Sequence, residues 1–454
     1  MRLALFAPLS PLQTAIADHV EGLLPDLARL MQVDLFIDDG YTPSSPTVTK
    51  GFSTFSHRDF PRLARQYDAV VYHMGDEPTF HGYIYRTLRE HPGIVVLHDL
   101  VLHHCIGGLT WAKGDVEGYL QEMRYAYGDE GEFAGREIMA GRRLDWMYKY
   151  PLMERVLDSS LGVVVHNDYA RRQLLQRRPK LRVTTIPQHF FLPEGVSPEE
   201  DGQALRQELG LEDRFVVATF GLLIRDKQLD VALRAFARFR ATHPQSAYLL
   251  VGPVERDYDL AGAVRRMGLE DSVRLVGWQP PPSFVRHMFV ADLALHLRYP
   301  HVGGTPFTPF RLMGLGVPTI VTNIEPLAEI PEGCCAKVDV DEHEEDVLLA
   351  TMEYLADSAD ARRQMSEQAR CFIQDHHLPP RIAGQYQTFI QQVLSRPIQP
   401  SSAQASGAWE DKLIADVGAI LSEWGLQGTE DALLLPIAEA IAGLRAGEQK
   451  RSVH

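Results

Sequence analysis

Short apolar runs, each followed by a longer stretch with a single apolar face, recur in two sets of six between residues 3 and 340. A run of four to six residues that is apolar throughout suits a strand covered on both sides, and the amphipathic stretches between runs suit crossover helices. That alternation leaves one architecture open, the parallel sheet wound on both faces by helices. The first set predicts strands at 3–7, 33–37, 69–73, 94–98, 163–166 and 183–186, with helices at 15–30 and 83–90. The second predicts strands at 215–220, 248–251, 273–276, 293–297, 319–322 and 336–340, closed by a long helical pattern over 361–394 whose last helix is a candidate to return to the N-terminal domain. Residues 191–213, rich in Pro, Gly and acids, separate the sets as a linker between an N-terminal domain (1–190) and a C-terminal one (214–396). The fold class expected is α/β, with two doubly wound Rossmann-like domains facing a central cleft. Ligands of open α/β sheets bind beyond the carboxyl ends of the strands, so the cleft is the expected site.

Beyond this body, 397–408 (PIQPSSAQASGA) has linker composition, and apolar residues from Leu413 to Leu444 recur at helical spacing. The tail is read as a helical hairpin that either packs on its own chain or serves as a dimer or partner-binding element. A formal net charge of −15 works against nucleic acid and anionic lipid as partners and favours soluble substrates. The exception is 171–182 (RRQLLQRRPKLR), with six basic residues and no acid, which suits a solvated helix face or a peripheral contact with a lipid diphosphate. Cys105, Cys334, Cys335 and Cys371 lack the spacing of a disulfide framework or a zinc site, which predicts free thiols in a reducing cytoplasm. The opening MRLALFAP is too short an apolar run for a signal sequence and reads as a buried first strand. No stretch reaches the roughly 18 to 20 apolar residues of a membrane span. Membrane contact is therefore expected to be peripheral at most, at the inner face.

Five blocks of the second half, FGLLIRDKQLDVALRAFARF (220–239), YLLVGP (248–253), VRLVGW (273–278), ADLALHLRYP (291–300) and GLGVPTIVTNIEPLAEIP (314–331), resemble in order and spacing the family-4 retaining glycosyltransferases of bacteria. In the first half, 11–41, 70–85 and 93–105 resemble the family's acceptor domain. The resemblance implies a GT-B fold and transfer of a sugar, with retention, from a nucleotide diphosphate sugar to a glycan or lipid-linked acceptor. It implies no metal and no cofactor, since a departing diphosphate can be stabilised by cations of the protein and by the amide end of a helix.

Within that resemblance Lys227, placed between a strand and a helix, matches the phosphate-binding lysine. Gly221 matches the strand-ending glycine, and Arg225 lies close enough in sequence to reach the same phosphates. The family's Glu-x7-Glu pattern is altered: Gly304 and Arg311 stand at the two acidic positions. A hydrogen bond to a charged group contributes roughly 1.5 to 3 kcal/mol, so one lost carboxylate weakens nucleotide binding about ten- to a hundredfold unless replaced. Gly303, Gly304 and Thr305 still offer amides and a hydroxyl to the donor. Glu329 matches a later glutamate of the family, with Glu325 one turn before it. On the acceptor side the resemblance puts His98 by the donor sugar, with Asp99 holding its ring or the backbone turn. His73, Asp76 and Glu77 end the preceding strand, where they are candidates for acceptor hydroxyls. His103 and His104 are adjacent and so do not share a helix face, which suits packing or capping better than metal ligation.

Overall fold

The computed structural model describes residues 1–193 and 195–395, so the tail expected beyond 397 lies outside the described residues. The apolar runs pair as two all-parallel sheets. In the first, β1 (Arg2–Phe6), β2 (Gln32–Ile37), β3 (Ser53–Ser56), β4 (Ala69–Met74), β5 (Gly93–Leu97), β6 (Ser160–Val165) and β7 (Val183–Thr185) lie in the order β3-β2-β1-β4-β5-β6-β7. In the second, β8 (Phe215–Phe220), β9 (Ser246–Val251), β10 (Val273–Gly277), β11 (Leu293–His296), β12 (Thr319–Thr322) and β13 (Ala336–Val338) lie in the order β10-β9-β8-β11-β12-β13. β3 has no counterpart among the predicted strands. Its sequence, STFS, is only partly buried at the sheet edge, so it carries no apolar run.

Alternation along each strand assigns side chains to faces. In the first sheet Leu3, Leu5, Val71, Ile94, Val96 and Val164 share a core with Val20, Leu23 and Leu24 of the Ala15–Ala28 helix. Phe6, Tyr72, Val95 and Val163 fill the core on the opposite face. The second sheet likewise has a core on each side.

Two connections differ from the sequence expectation. The pattern at 361–394 is two helices, Ala359–His376 and Pro379–Ser395, because Pro379 and Pro380 lack the N–H a continuing helix needs and instead start a new one. The first packs in the C-terminal domain through Ala369 and Ile373. The second returns to the N-terminal domain, where Ile382, Tyr386 and Ile390 join Leu24 and Val96, and Arg182 donates to the Val393 carbonyl at 3.2 Å. The stretch 191–213 is likewise more than a linker. It contains the helix Pro198–Glu208, and Leu205, Leu209 and Leu211 pack with Met288 and Val290 of the C-terminal domain.

The basic run is largely occupied by internal contacts. Arg172 pairs with Glu325 and Glu329, Arg177 with Glu154, Arg178 with Asp158, and Arg182 is held as above. No described helix is long and apolar enough to cross a membrane.

Candidate functional site

Lys227 ends the short 3-10 turn Arg225–Lys227 that joins β8 to the helix Leu229–Thr242. The residue is 6% exposed, and its ammonium donates to the Phe220 carbonyl at the end of β8. Burial, reinforced by the Arg298 guanidinium, pulls its pKa down to about 7. Among the described residues neither Lys227 nor Arg298 has a carboxylate within ion-pair distance. Gly221 leaves the space beside them: its φ is +95°, and a Cβ there would stand 3.0 Å from Lys227 Nζ and 3.8 Å from Thr308 Oγ1. Thr308 lies in the first turn of the helix Phe307–Leu315, so the unpaired amide end of that helix faces the same spot. Two cations without a counter-ion beside a helix N-terminus suit a polyanion.

Arg298 escaped the sequence reading although it follows β11, the strand beside β8. Arg225, by contrast, is exposed. Its guanidinium donates to Asp257 O and lies 5.0 Å over the Tyr258 ring, and it is Arg298 whose charge acts on Lys227. A bound diphosphate stabilises the charged lysine that burial disfavours. Nucleotide binding above pH 7 is therefore expected to take up as much as one proton at Lys227, and affinity to fall as pH rises from about 7 to 9. Calorimetry in buffers of different ionisation enthalpy measures the uptake; heats independent of the buffer would remove Lys227 from the phosphate site.

The altered donor loop presses directly on the N-terminal domain. Leu100 N donates to Val302 O at 2.9 Å, Asn167 Nδ2 donates to Thr305 Oγ1 at 2.8 Å and to Gly303 O at 3.2 Å, and Gln188 Nε2 donates to Thr305 O at 2.5 Å. Gly304 is held so close that a Cβ would stand 2.1 Å from the His98 carbonyl oxygen and 2.8 Å from Asp99 Oδ1. No longer side chain fits this arrangement. Asn167 also accepts from Ala170 N at 2.6 Å through Oδ1, capping the helix Asp168–Arg177. Asn167→Asp keeps the cap but replaces the buried donor with an acceptor facing Gly303 O and Thr305 Oγ1. It is expected to cost about 1 to 3 kcal/mol of stability, read as a lower midpoint in denaturant.

Arg311 and Glu329, both candidates for the donor, are engaged with the N-terminal domain. The Arg311 guanidinium is buried 4.5 Å from the centroid of Phe307 and 5.2 Å from that of Phe191, and 3.8 Å from Asp18 of the N-terminal domain. Glu329 accepts from Asp168 N at 2.8 Å and Tyr169 N at 2.5 Å, so its charge rests at the amino end of the Asp168–Arg177 helix, where the helix dipole favours it.

On the acceptor side, two of the candidates cap helices. Asp76 accepts from Cys105 N at 2.9 Å and contacts His104 Nδ1 at 2.8 Å, which secures the start of His103–Leu109. Glu77 accepts from Thr79 N at 3.1 Å, capping its own helix. His103 is packed as expected, between Tyr150 O at 2.5 Å and Tyr119 Oη at 2.7 Å. Asp99 holds the turn, accepting from Asp76 N at 3.2 Å, and burial beside Asp76 raises its pKa to about 6 against the pull of Arg298.

His73 and His98 meet directly, Nδ1 to Nε2 at 3.0 Å. They belong to a nest of five buried imidazoles with His19, His166 and His189. A signal for three of these was present in the sequence. Val-Val-x-His ends three strands that prove to be neighbours: Val70 to His73, Val95 to His98 and Val163 to His166. Period-two alternation from Val71, Val96 and Val164 puts these histidines on the face covered by the helix carrying His19.

Residues 201–372 match the family model described as Glycosyl transferases group 1. No curated protein matches the chain in sequence. Among solved structures, Anabaena HepE in complex with UDP-glucose is similar with a TM-score of 0.61 and 16% identity, covering 87% of this chain and 99% of that one. Sucrose-phosphate synthase from Thermosynechococcus elongatus gives 0.60 and 16%, covering 87% and 99%. A glycosyltransferase from Rickettsia africae gives 0.59 and 10%, covering 87% and 99%. The fold is GT-B, as the resemblance implied, and the matched segment within it is of glycosyltransferase type.

Proposed function

We propose that this protein is a retaining glycosyltransferase that moves a sugar from a nucleotide diphosphate sugar to a hydroxyl of a glycan, glycolipid or other conjugate. The observation that carries the reading is the pair Lys227 and Arg298, basic groups at the carboxyl end of the second sheet with no carboxylate within ion-pair distance among the described residues. They would hold the diphosphate and stabilise its charge as it departs, with the amide end of the Phe307–Leu315 helix in support and no metal required for this step. Gly303, Gly304 and Thr305 carry the donor side to the domain boundary, where His98 and Asp99 line the reacting centre from the acceptor side. With glycine at 304, the carboxylate beside that position is Asp99 Oδ1, offered by the opposite domain. Residue 304 itself offers no carboxylate for a covalent intermediate, and same-face displacement within an ion pair is the mechanism the family resemblance implies.

The first test is a thermal-shift panel of UDP-, GDP-, ADP- and TDP-sugars, beginning with UDP-glucose because the HepE structure of the same fold holds it. At a ligand concentration of 100 times Kd the stabilisation expected is about 2.7 kcal/mol, a rise of several degrees. No response to any member refutes the donor site. One observation favours a second reading, a nucleotide-sugar binder or scaffold without turnover: the loop 302–305 uses its carbonyls and the Thr305 hydroxyl on the other domain. Slow donor hydrolysis, lost in Asp99→Asn, selects the enzyme; binding without hydrolysis or transfer selects the scaffold.

A further inference from the structure

His19, His73 and His98 each offer a ring nitrogen, and these three atoms lie within 4.8 Å of one another. His19 is 2% exposed, yet neither of its nitrogens has a hydrogen-bond partner. A neutral imidazole has one donor and one acceptor, and buried polar atoms are nearly always paired, so this ring calls for a ligand. Its surroundings are other imidazoles, at centroid distances of 4.7 Å (His189), 5.1 Å (His166), 5.2 Å (His98) and 5.8 Å (His73). Among the described residues none of these five rings is paired with a carboxylate. Burial holds all five pKa values well below the ordinary histidine range, so the rings are neutral, as metal ligation requires.

We propose that His19, His73 and His98 form a binding site for a divalent transition-metal ion of the zinc class. Imidazole is the commonest ligand of such ions, and the absence of oxygen donors from the trio argues against calcium or magnesium. Two nitrogens at 2.0 to 2.1 Å from one tetrahedral ion are about 3.3 Å apart, close to the 3.0 Å between His73 Nδ1 and His98 Nε2. His166 stands beside the trio, outside the group of nitrogens that lie within 4.8 Å of one another. Its Nδ1 donates to Ile186 O at 2.8 Å, its Nε2 is unpartnered, and its ring is 4.9 Å from that of His98. A backbone carbonyl on one nitrogen is how proteins aim the other at a metal. The site does not use the proposed diphosphate cations, which belong to the second domain, but it shares His98 with the proposed reacting centre. His98 links the two, since its carbonyl abuts Gly304.

The test uses the untagged full chain, stripped with a chelator and titrated with Co²⁺ by equilibrium dialysis and visible absorption. One Co²⁺ per chain is expected, with the intense d–d band of tetrahedral nitrogen ligation, displaced by Zn²⁺. His19→Ala and His73→Ala should each weaken binding by more than about 100-fold, beyond the range of outer-shell changes. Asp38, Asp39 and His57 form the other described group able to hold a metal, so the double variant Asp38→Asn, His57→Ala is the control and should bind as the parent does. No uptake by the parent overturns the site, as does a band that survives both histidine variants or one lost in the control. Circular dichroism checks folding. If a histidine variant unfolds, the parent spectrum decides, with the weak band of octahedral oxygen ligation counting against the site.

Discussion

Lys227→Ala is expected to lower turnover per donor by about 10²- to 10³-fold and to erase the thermal response to nucleotide, while leaving the free protein at least as stable as before. The loss follows from removing a preorganised cation from a departing diphosphate, an effect of this size where a single stabilising group is deleted. The unchanged stability follows from the setting. In the free protein the ammonium is buried next to Arg298 with the Phe220 carbonyl as its acceptor among the described residues, so its removal relieves desolvation and like-charge repulsion. A structural lysine would behave the opposite way. A variant that melts several degrees lower yet still responds to nucleotide would show that Lys227 serves the fold. Lys227→Met, which preserves the side chain's length without charge, separates the loss of packing from the loss of the cation.

Gly304→Glu restores the side chain common at this position in the family the sequence resembles, and it is expected to harm the protein. Even the first atom of that side chain would stand 2.1 Å from the His98 carbonyl oxygen, a backbone atom that cannot rotate away. Gly304→Ala should therefore be nearly as damaging as the glutamate. Either the loop strains, at about 1 to 3 kcal/mol and a fall of several degrees in melting temperature, or the domains part. Parting would give up the Asn167, Gln188 and Leu100 hydrogen bonds and increase the radius of gyration in small-angle scattering. An alanine variant as compact and as stable as the parent would show that the loop can leave the His98 carbonyl without cost.

How far the sequence could be read depended on the distance over which each signal acts. Strand positions came from runs of four to six residues, and the polar edge strand β3 was the one left out. Gly221 and Lys227 share one strand-loop-helix turn, so their proximity follows from chain geometry. Arg225, two residues from Lys227, stands with Asp257 and Tyr258 instead, because a long flexible side chain on a turn is directed by its neighbours in space. Glu329 was expected near the donor for its place after β12. Its partners, the amides of Asp168 and Tyr169, lie in the other domain. The Val-Val-x-His endings were visible but acquired meaning only when β4, β5 and β6 proved adjacent.

The amino-acid sequence by itself determined the two parallel sheets, the cleft at their carboxyl ends, and the glycine and lysine at the start of the second. Apolar periodicity and turn chemistry operate within a few residues and need no knowledge of the rest of the chain. Tertiary structure alone decided that Arg298 joins Lys227, that Glu329 caps a helix across the boundary, that five imidazoles converge, and that residue 304 has no room for a side chain. Those outcomes depend on the order of strands in a sheet and on how the last described helix and the loop 302–305 set one domain against the other. Differences of an ångström there choose a side chain's partner.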